Sequence, residues 1–126
     1  MRTRDIIYLA GLLEGEGCFR YESRRVGPSI VLGMTDKDVV EKAALLLGSG
    51  VVMRKLHPDK LWKPCYISKV HGRAAAGWMM TLYPLLGERR QAKIREVLTK
   101  WKLDPPYVRA YRPQRRYEKN RTPTNS

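Results

Sequence analysis

Histidine and cysteine are nearly absent from this chain of 126 residues, which has two of each. Cys18, Cys65, His57 and His71 fall into no C-x-x-C or H-x-x-x-H spacing, so neither a zinc site nor a disulfide framework is indicated, and both thiols read as packed or idle. Long apolar runs are missing as well. Nothing approaches the ~20 residues that a membrane span needs, and no basic n-region leads into an apolar h-region. Acids are scarce, twelve against twenty-five Lys and Arg, which leaves a net charge of +13. Such a chain repels itself unless a polyanion is near. These lacks point to an intracellular protein, not secreted and without a membrane partner, that works beside nucleic acid.

The length suits one core rather than two. Thr3 stands where an N-cap belongs, Asp5 falls in the first turn, and Ile6, Leu9, Ala10 and Leu13 recur at helical spacing, which predicts a first helix over about 4 to 14. Residues 18–25 alternate ring or small residues with charges, and Ser29 leads into Ile30-Val31-Leu32-Gly33-Met34, with Gly27-Pro28 between them; that predicts a hairpin turning at Gly-Pro. Thr35-Asp36-Lys37-Asp38 resembles a capping box, and a second helix over about 36 to 47 closes at Gly48. Val51 to Leu56 and Cys65 to Val70 predict a second hairpin around Pro58-Asp59. A third helix is expected over about 72 to 83. Pro84 and Gly87 interrupt it, and a fourth is expected over about 88 to 101, with Trp78 and Trp101 on the apolar stripes.

From Asp104 to the end there are six basic and two acidic residues, +4, leaving +9 for residues 1–103. We expect one domain over 1–103 and a basic, flexible tail over 104–126. Tyr107, Tyr111 and Tyr117 among its arginines either follow a nucleic-acid groove or stand idle. Four strands in consecutive hairpins imply an α+β fold, a four-stranded antiparallel sheet with helices on one face. The other face is left open, and strand parity places Arg20, Glu22 and Arg24, or the opposite set, upon it. Arg20, Arg24, Arg54, Lys55 and Lys69 together suggest that it meets DNA.

Leu9-Ala10-Gly11-Leu12-Leu13-Glu14-Gly15-Glu16-Gly17 is unusual on physical grounds alone. A helix is partly negative at its C-terminal end, so Glu14 and Glu16 there cost about 0.3 to 1 kcal/mol each unless something positive offsets them. Carboxylate oxygen suits Mg²⁺. Gly11 and Gly15, four apart, share one helical face and let another backbone approach closely, and Gly15 and Gly17 permit dihedrals that other residues resist. A glycine-rich helix end with two incidental glutamates accounts for the same spacing equally well.

The nonapeptide also resembles the signature of the LAGLIDADG homing endonucleases, close to it at seven of nine places, five of them identical, with Glu14 and Glu16 where the signature has Asp. The motif comes at the right end of the first helix and is followed by hairpin, helix and hairpin, the family's αββαββα order; the resemblance covers residues 4 to 101. It implies a site-specific, metal-dependent endodeoxyribonuclease that cuts both strands of a long, near-palindromic double-stranded DNA site, using Mg²⁺ with Mn²⁺ as substitute and no small-molecule substrate. Motif helices from two copies pack side by side in such proteins. One motif per chain therefore implies a homodimer with Leu9, Gly11, Leu12 and Gly15 at its interface, and a two-fold DNA target.

The same resemblance gives residue roles. Glu16 would bind metal with the Gly15 carbonyl, and Glu14 would be structural. Asp36 matches a polar residue that orients solvent around the metal, although a helix N-cap explains it as well. Arg89 or Arg90, Arg89 by preference, would stabilise charge on the phosphate. Arg20, Glu22, Arg24, Met53, Lys55, Ile67 and Lys69 match DNA-reading positions by register, and a slip of one residue would replace them all. A regulator or RNA-splicing maturase on this fold would keep the glycines and basic sheet without needing Glu16. A helix-turn-helix repressor conflicts with the two hairpins. Histidine-metal and GIY-YIG nucleases lack their parts here.

Overall fold

A computed structural model of the chain describes residues 1–54 and 63–104. Lys55 and the expected tail beyond Asp104 lie outside the described residues. The elements in order are α1 (Thr3–Glu16), β1 (Gly17–Ser23), β2 (Gly27–Met34), α2 (Lys37–Leu47), β3 (Val51–Arg54), β4 (Cys65–His71), α3 (Gly72–Leu82), a 3₁₀ turn (Tyr83–Leu85) and α4 (Glu88–Leu103). This is the expected α+β order, with four antiparallel strands in one sheet.

The strand order is β1-β2-β4-β3, so the sheet does not follow the chain strand by strand. β2 and β3 run in the same direction, joined by α2, and β4 is inserted between them. A parallel pair needs a crossover long enough to cross the sheet, and α2 supplies it. β2 thus pairs with β4, Ile30 opposite Val70 and Leu32 opposite Ser68. α4 lies against β1, α3 against β2 and α2 against β4, all on one face. Leu9, Leu13, Phe19, Ile30, Leu32, Met79, Leu82 and Ile94 fill the space between, each under 2% exposed. Burial of a side chain of this size contributes about 1.5 to 3 kcal/mol, so this layer holds the helices to the sheet. Trp78 is partly buried against it.

Local chemistry departs from expectation at several element ends. Arg2 rather than Thr3 precedes α1, and Asp36 rather than Thr35 precedes α2; neither cap donates or accepts through its side chain. The starts of α1 and α2 are thus held without a side-chain cap, by the packing of their apolar faces. The first hairpin turns at residues 24–26, with Gly27 and Pro28 already inside β2. Gly27 has φ +81°, a left-handed conformation that glycine adopts without strain, and it starts the strand from there. At the far end of β1 the Tyr21 hydroxyl donates to Asp104 Oδ2 at 2.5 Å and ties down the end of α4. That hydrogen bond, with some desolvation, raises the Tyr21 pKa above its ordinary value.

Candidate functional site

Gly17 makes the passage from motif helix to sheet possible. Its N–H closes α1 by donating to the Leu13 carbonyl, and the chain then turns directly into β1. A Cβ there would stand 2.7 Å from the Leu13 carbonyl oxygen and 2.8 Å from Leu13 Cδ2. The requirement is steric, since its φ of −80° is open to any residue. Gly17→Ala is expected to destabilise the fold by about 1 to 3 kcal/mol, as overpacked cores do, seen as a lowered midpoint in urea.

Glu14 and Glu16 are two residues apart and have opposite surroundings. Glu14 turns toward α4: its Oε1 accepts the Gly87 N–H at 2.9 Å, at the N-terminal end of that helix, where negative charge is favoured. Arg90, from the first turn of α4, reaches back and donates Nε to the Glu14 carbonyl at 3.1 Å and Nη1 to the Gly17 carbonyl at 2.6 Å. The end of α1 and the start of α4 thus satisfy each other's orphan groups. The positive charge expected opposite Glu14 belongs to the chain itself.

Glu16 has no such partner. Its side chain is exposed, and among the described residues no hydrogen bond or ion pair engages its carboxylate. No group of three His, Cys, Asp or Glu side chains capable of holding a metal occurs among the described residues either. Asp36 is exposed at the start of α2, its carbonyl accepting the Val40 N–H.

The two arginines also part company. Arg90 is 14% exposed and spends its donors on α1. Arg89 is exposed, beside a hollow that it shares with Cys18 and Lys93. Arg90→Ala is expected to cost about 1.5 to 3 kcal/mol in thermal unfolding, as loss of a charged hydrogen-bonding partner does, whereas Arg89→Ala should leave the midpoint unchanged.

On the outer side of α1, Gly11 and Gly15 are exposed, and among the described residues nothing lies within 4 Å of a Cβ placed on either. Ile7, 56% exposed, continues the same stripe, and Leu12 is half-buried beside it. Leu9 does not belong to that face. It is 0% exposed in the chain's own core, because a turn of 100° per residue puts it with Leu13 rather than with Gly11.

Strand pairing defines the open face. Phe19, Ile30 and Val70 point to the helices, so Cys18, Arg20 and Glu22 of β1 and Ile67, Lys69 and His71 of β4 stand on the other side. Arg24 is exposed in the turn beyond β1. Met53 is a correction: it pairs with Tyr66 on the helix side, while Val52 and Arg54, opposite Ile67 and Cys65, share the open face. Val51, Val52 and Met53 are all apolar, so no alternation marks the parity of β3, and only its partner strand sets it.

A family model for the LAGLIDADG-like domain matches residues 5–76. No curated protein sequence matches the chain. Among solved structures, the homing endonuclease I-CvuI in complex with its target and calcium aligns with a TM-score of 0.59 at 20% identity, over 80% of this chain and 69% of that one. The group I intron-encoded homing endonuclease I-CeuI, complexed with DNA, gives 0.61 at 11% identity over 81% and 56%. The archaeal intron-encoded I-Vdi141I, also complexed with DNA, gives 0.56 at 15% over 86% and 89%. At these identities the likeness to solved structures is one of fold, and it is the fold that α1, the two hairpins and the open sheet build. With its motif, residues 9–17, inside the matched span, which covers more than half of its length, the chain belongs to the LAGLIDADG-like family.

Proposed function

We propose that this chain is one half of a homodimeric, metal-dependent DNA endonuclease of the homing type, which cleaves both strands of a long, near-palindromic duplex. The observation that carries the reading is the unpartnered Glu16 carboxylate. It ends a helix whose outer stripe is open at Gly11 and Gly15, next to a sheet face bearing Arg20, Arg54 and Lys69. A second copy packed along that stripe brings a second Glu16 beside the first. Residues 1–103 form the nuclease domain on this reading, and 104–126 a basic extension. The proposed setting is intracellular, with DNA; among the described residues no helix is long and apolar enough to cross a membrane.

The donor set fits a divalent cation. Glu16 offers a hard oxygen free of competing protein donors, and the Gly15 carbonyl is among the last four of α1, which a helix leaves without intrahelical partners. These two groups would hold Mg²⁺, or Mn²⁺ in its place, with the remaining ligands from the second copy, the phosphate and water. Such an ion supplies charge stabilisation at the scissile phosphate. The chain's residues position the rest. Arg90 and Glu14 fix the end of α1 and so the place of Glu16. Arg89, exposed in its hollow, is aimed at phosphate charge, and Asp36 at the start of α2 orients solvent. The open face, with Arg20, Glu22, Ile67 and Lys69 and the turn residue Arg24, holds the duplex in register. Arg54 joins this set and Met53 leaves it.

The test is a selection from a pool of partly palindromic duplexes, followed by incubation of the recovered site with Mg²⁺ or Ca²⁺. Cleavage of both strands in Mg²⁺ alone is the expected result. Tight binding without cleavage in either ion would make the chain a DNA-binding regulator.

A further inference from the structure

The open face carries one carboxylate among its cations in the described residues. Glu22 Oε1 and Oε2 accept from Lys69 Nζ at 2.6 and 2.7 Å, and Arg20 Nη2 lies 3.4 Å from Oε1. Lys69 comes from β4 and Arg20 from β1, so one acid gathers cations from two strands across β2. The backbone is irregular at that point. Register shifts between Tyr21 and Ser23, leaving Glu22 as the extra residue of a bulge, a device that re-aims a side chain.

Ser29 lies beneath the cluster. It pairs with Arg20 on one side and His71 on the other, which places its side chain on the open face. It is nonetheless 0% exposed, and among the described residues its hydroxyl has no hydrogen-bond partner. Glu22, unpaired in the bulge, faces the Gly27–Pro28 end of β2 and Lys69 pairs with Val31, so the ion pair between them crosses β2 diagonally past Ser29. The face is therefore closed over a polar group that its opening would uncover.

An acid on a phosphate-facing surface opposes sequence-blind attraction, the term that dominates non-specific affinity. We propose that Glu22 is a specificity-determining positioning residue, which restrains Arg20 and Lys69 from phosphate and releases them only to base-edge acceptors in matching register. The inference rests on the DNA-binding reading above. A cognate site exchanges its own acceptors for those of Glu22, as a guanine edge does for an arginine. A random duplex has no acceptors in the right places, and the cluster stays shut against it. Discrimination then comes from weakening the wrong complex, not from strengthening the right one.

Glu22→Gln keeps the side chain's shape and removes its charge. On a random-sequence duplex it should bind about tenfold more tightly at low salt, with log K against log salt steeper by about one, the slope of one added phosphate contact. The gain on the duplex recovered by selection should be smaller, so discrimination narrows. Lys69→Gln with Glu22 retained gives an independent reading: the random-duplex slope should barely change, because Lys69 is already neutralised. An unmoved slope in a folded Glu22→Gln protein, or loss of a full unit in Lys69→Gln, would overturn the role of Glu22 and leave DNA binding standing. A wild type that binds no duplex would overturn DNA binding itself, and this inference with it.

Discussion

Glu16→Gln is expected to lose strand cleavage by about a thousandfold or more, equivalent to about 4 kcal/mol of barrier, while still binding duplex within about tenfold of wild type. The substitution replaces one oxygen with an amide and removes the charge, so a cation loses its anionic ligand while the helix and sheet stay as they were. Among the described residues the Glu16 carboxylate makes no hydrogen bond or ion pair that the change could break. Cleavage of the selected site in Mg²⁺ and binding in Ca²⁺ separate the two effects. Glu14→Gln is the matched control. Its side-chain oxygen can still accept the Gly87 N–H, so cleavage should fall far less. Full cleavage by Glu16→Gln would remove the metal assignment, and equal losses in both variants would mean that the end of α1 is damaged and no ligand role has been isolated.

Gly11→Leu should separate monomer stability from activity in a way that few substitutions do. Among the described residues nothing lies within 4 Å of a Cβ at Gly11, and the position is mid-helix, so replacing glycine should raise monomer stability by roughly 0.5 to 1 kcal/mol. A leucine there projects into the space that a second motif helix would occupy. Dimerisation and cleavage should both be lost while the protein becomes harder to melt. Sedimentation at micromolar concentration with a thermal unfolding curve on the same sample checks both halves. A dimer that persists would place the interface on some other surface.

The elements were legible because their signals are local. Apolar spacing of 3.6 marks Leu9 and Leu13 in α1, Val40, Ala43 and Leu47 in α2, and Ile94 and Val97 in α4, and every one of these is buried. Relations set by tertiary contact were not legible. The parity of Met53 depends on Tyr66, a residue of another strand, and the insertion of β4 beside β2 has no mark in either strand. Leu9 read as an interface residue because it lies in the motif, although its own helical phase already turns it inward. At the motif, composition and spacing do not separate the two glutamates; the family resemblance alone gave Glu14 a structural role, and the contacts behind that role come from α4. Neither Gly87 nor Arg90 shows in the sequence that its partner lies more than seventy residues away.

That separation has a practical side. The span matched by the family model ends at residue 76, before the 3₁₀ turn and the whole of α4. A transplant or fusion cut to those limits would carry the acidic motif intact and leave behind the two residues that anchor its last turn. The excised motif helix would keep its sequence and fray at the turn that carries Glu16, so the smallest portable unit of this fold runs at least through Arg90.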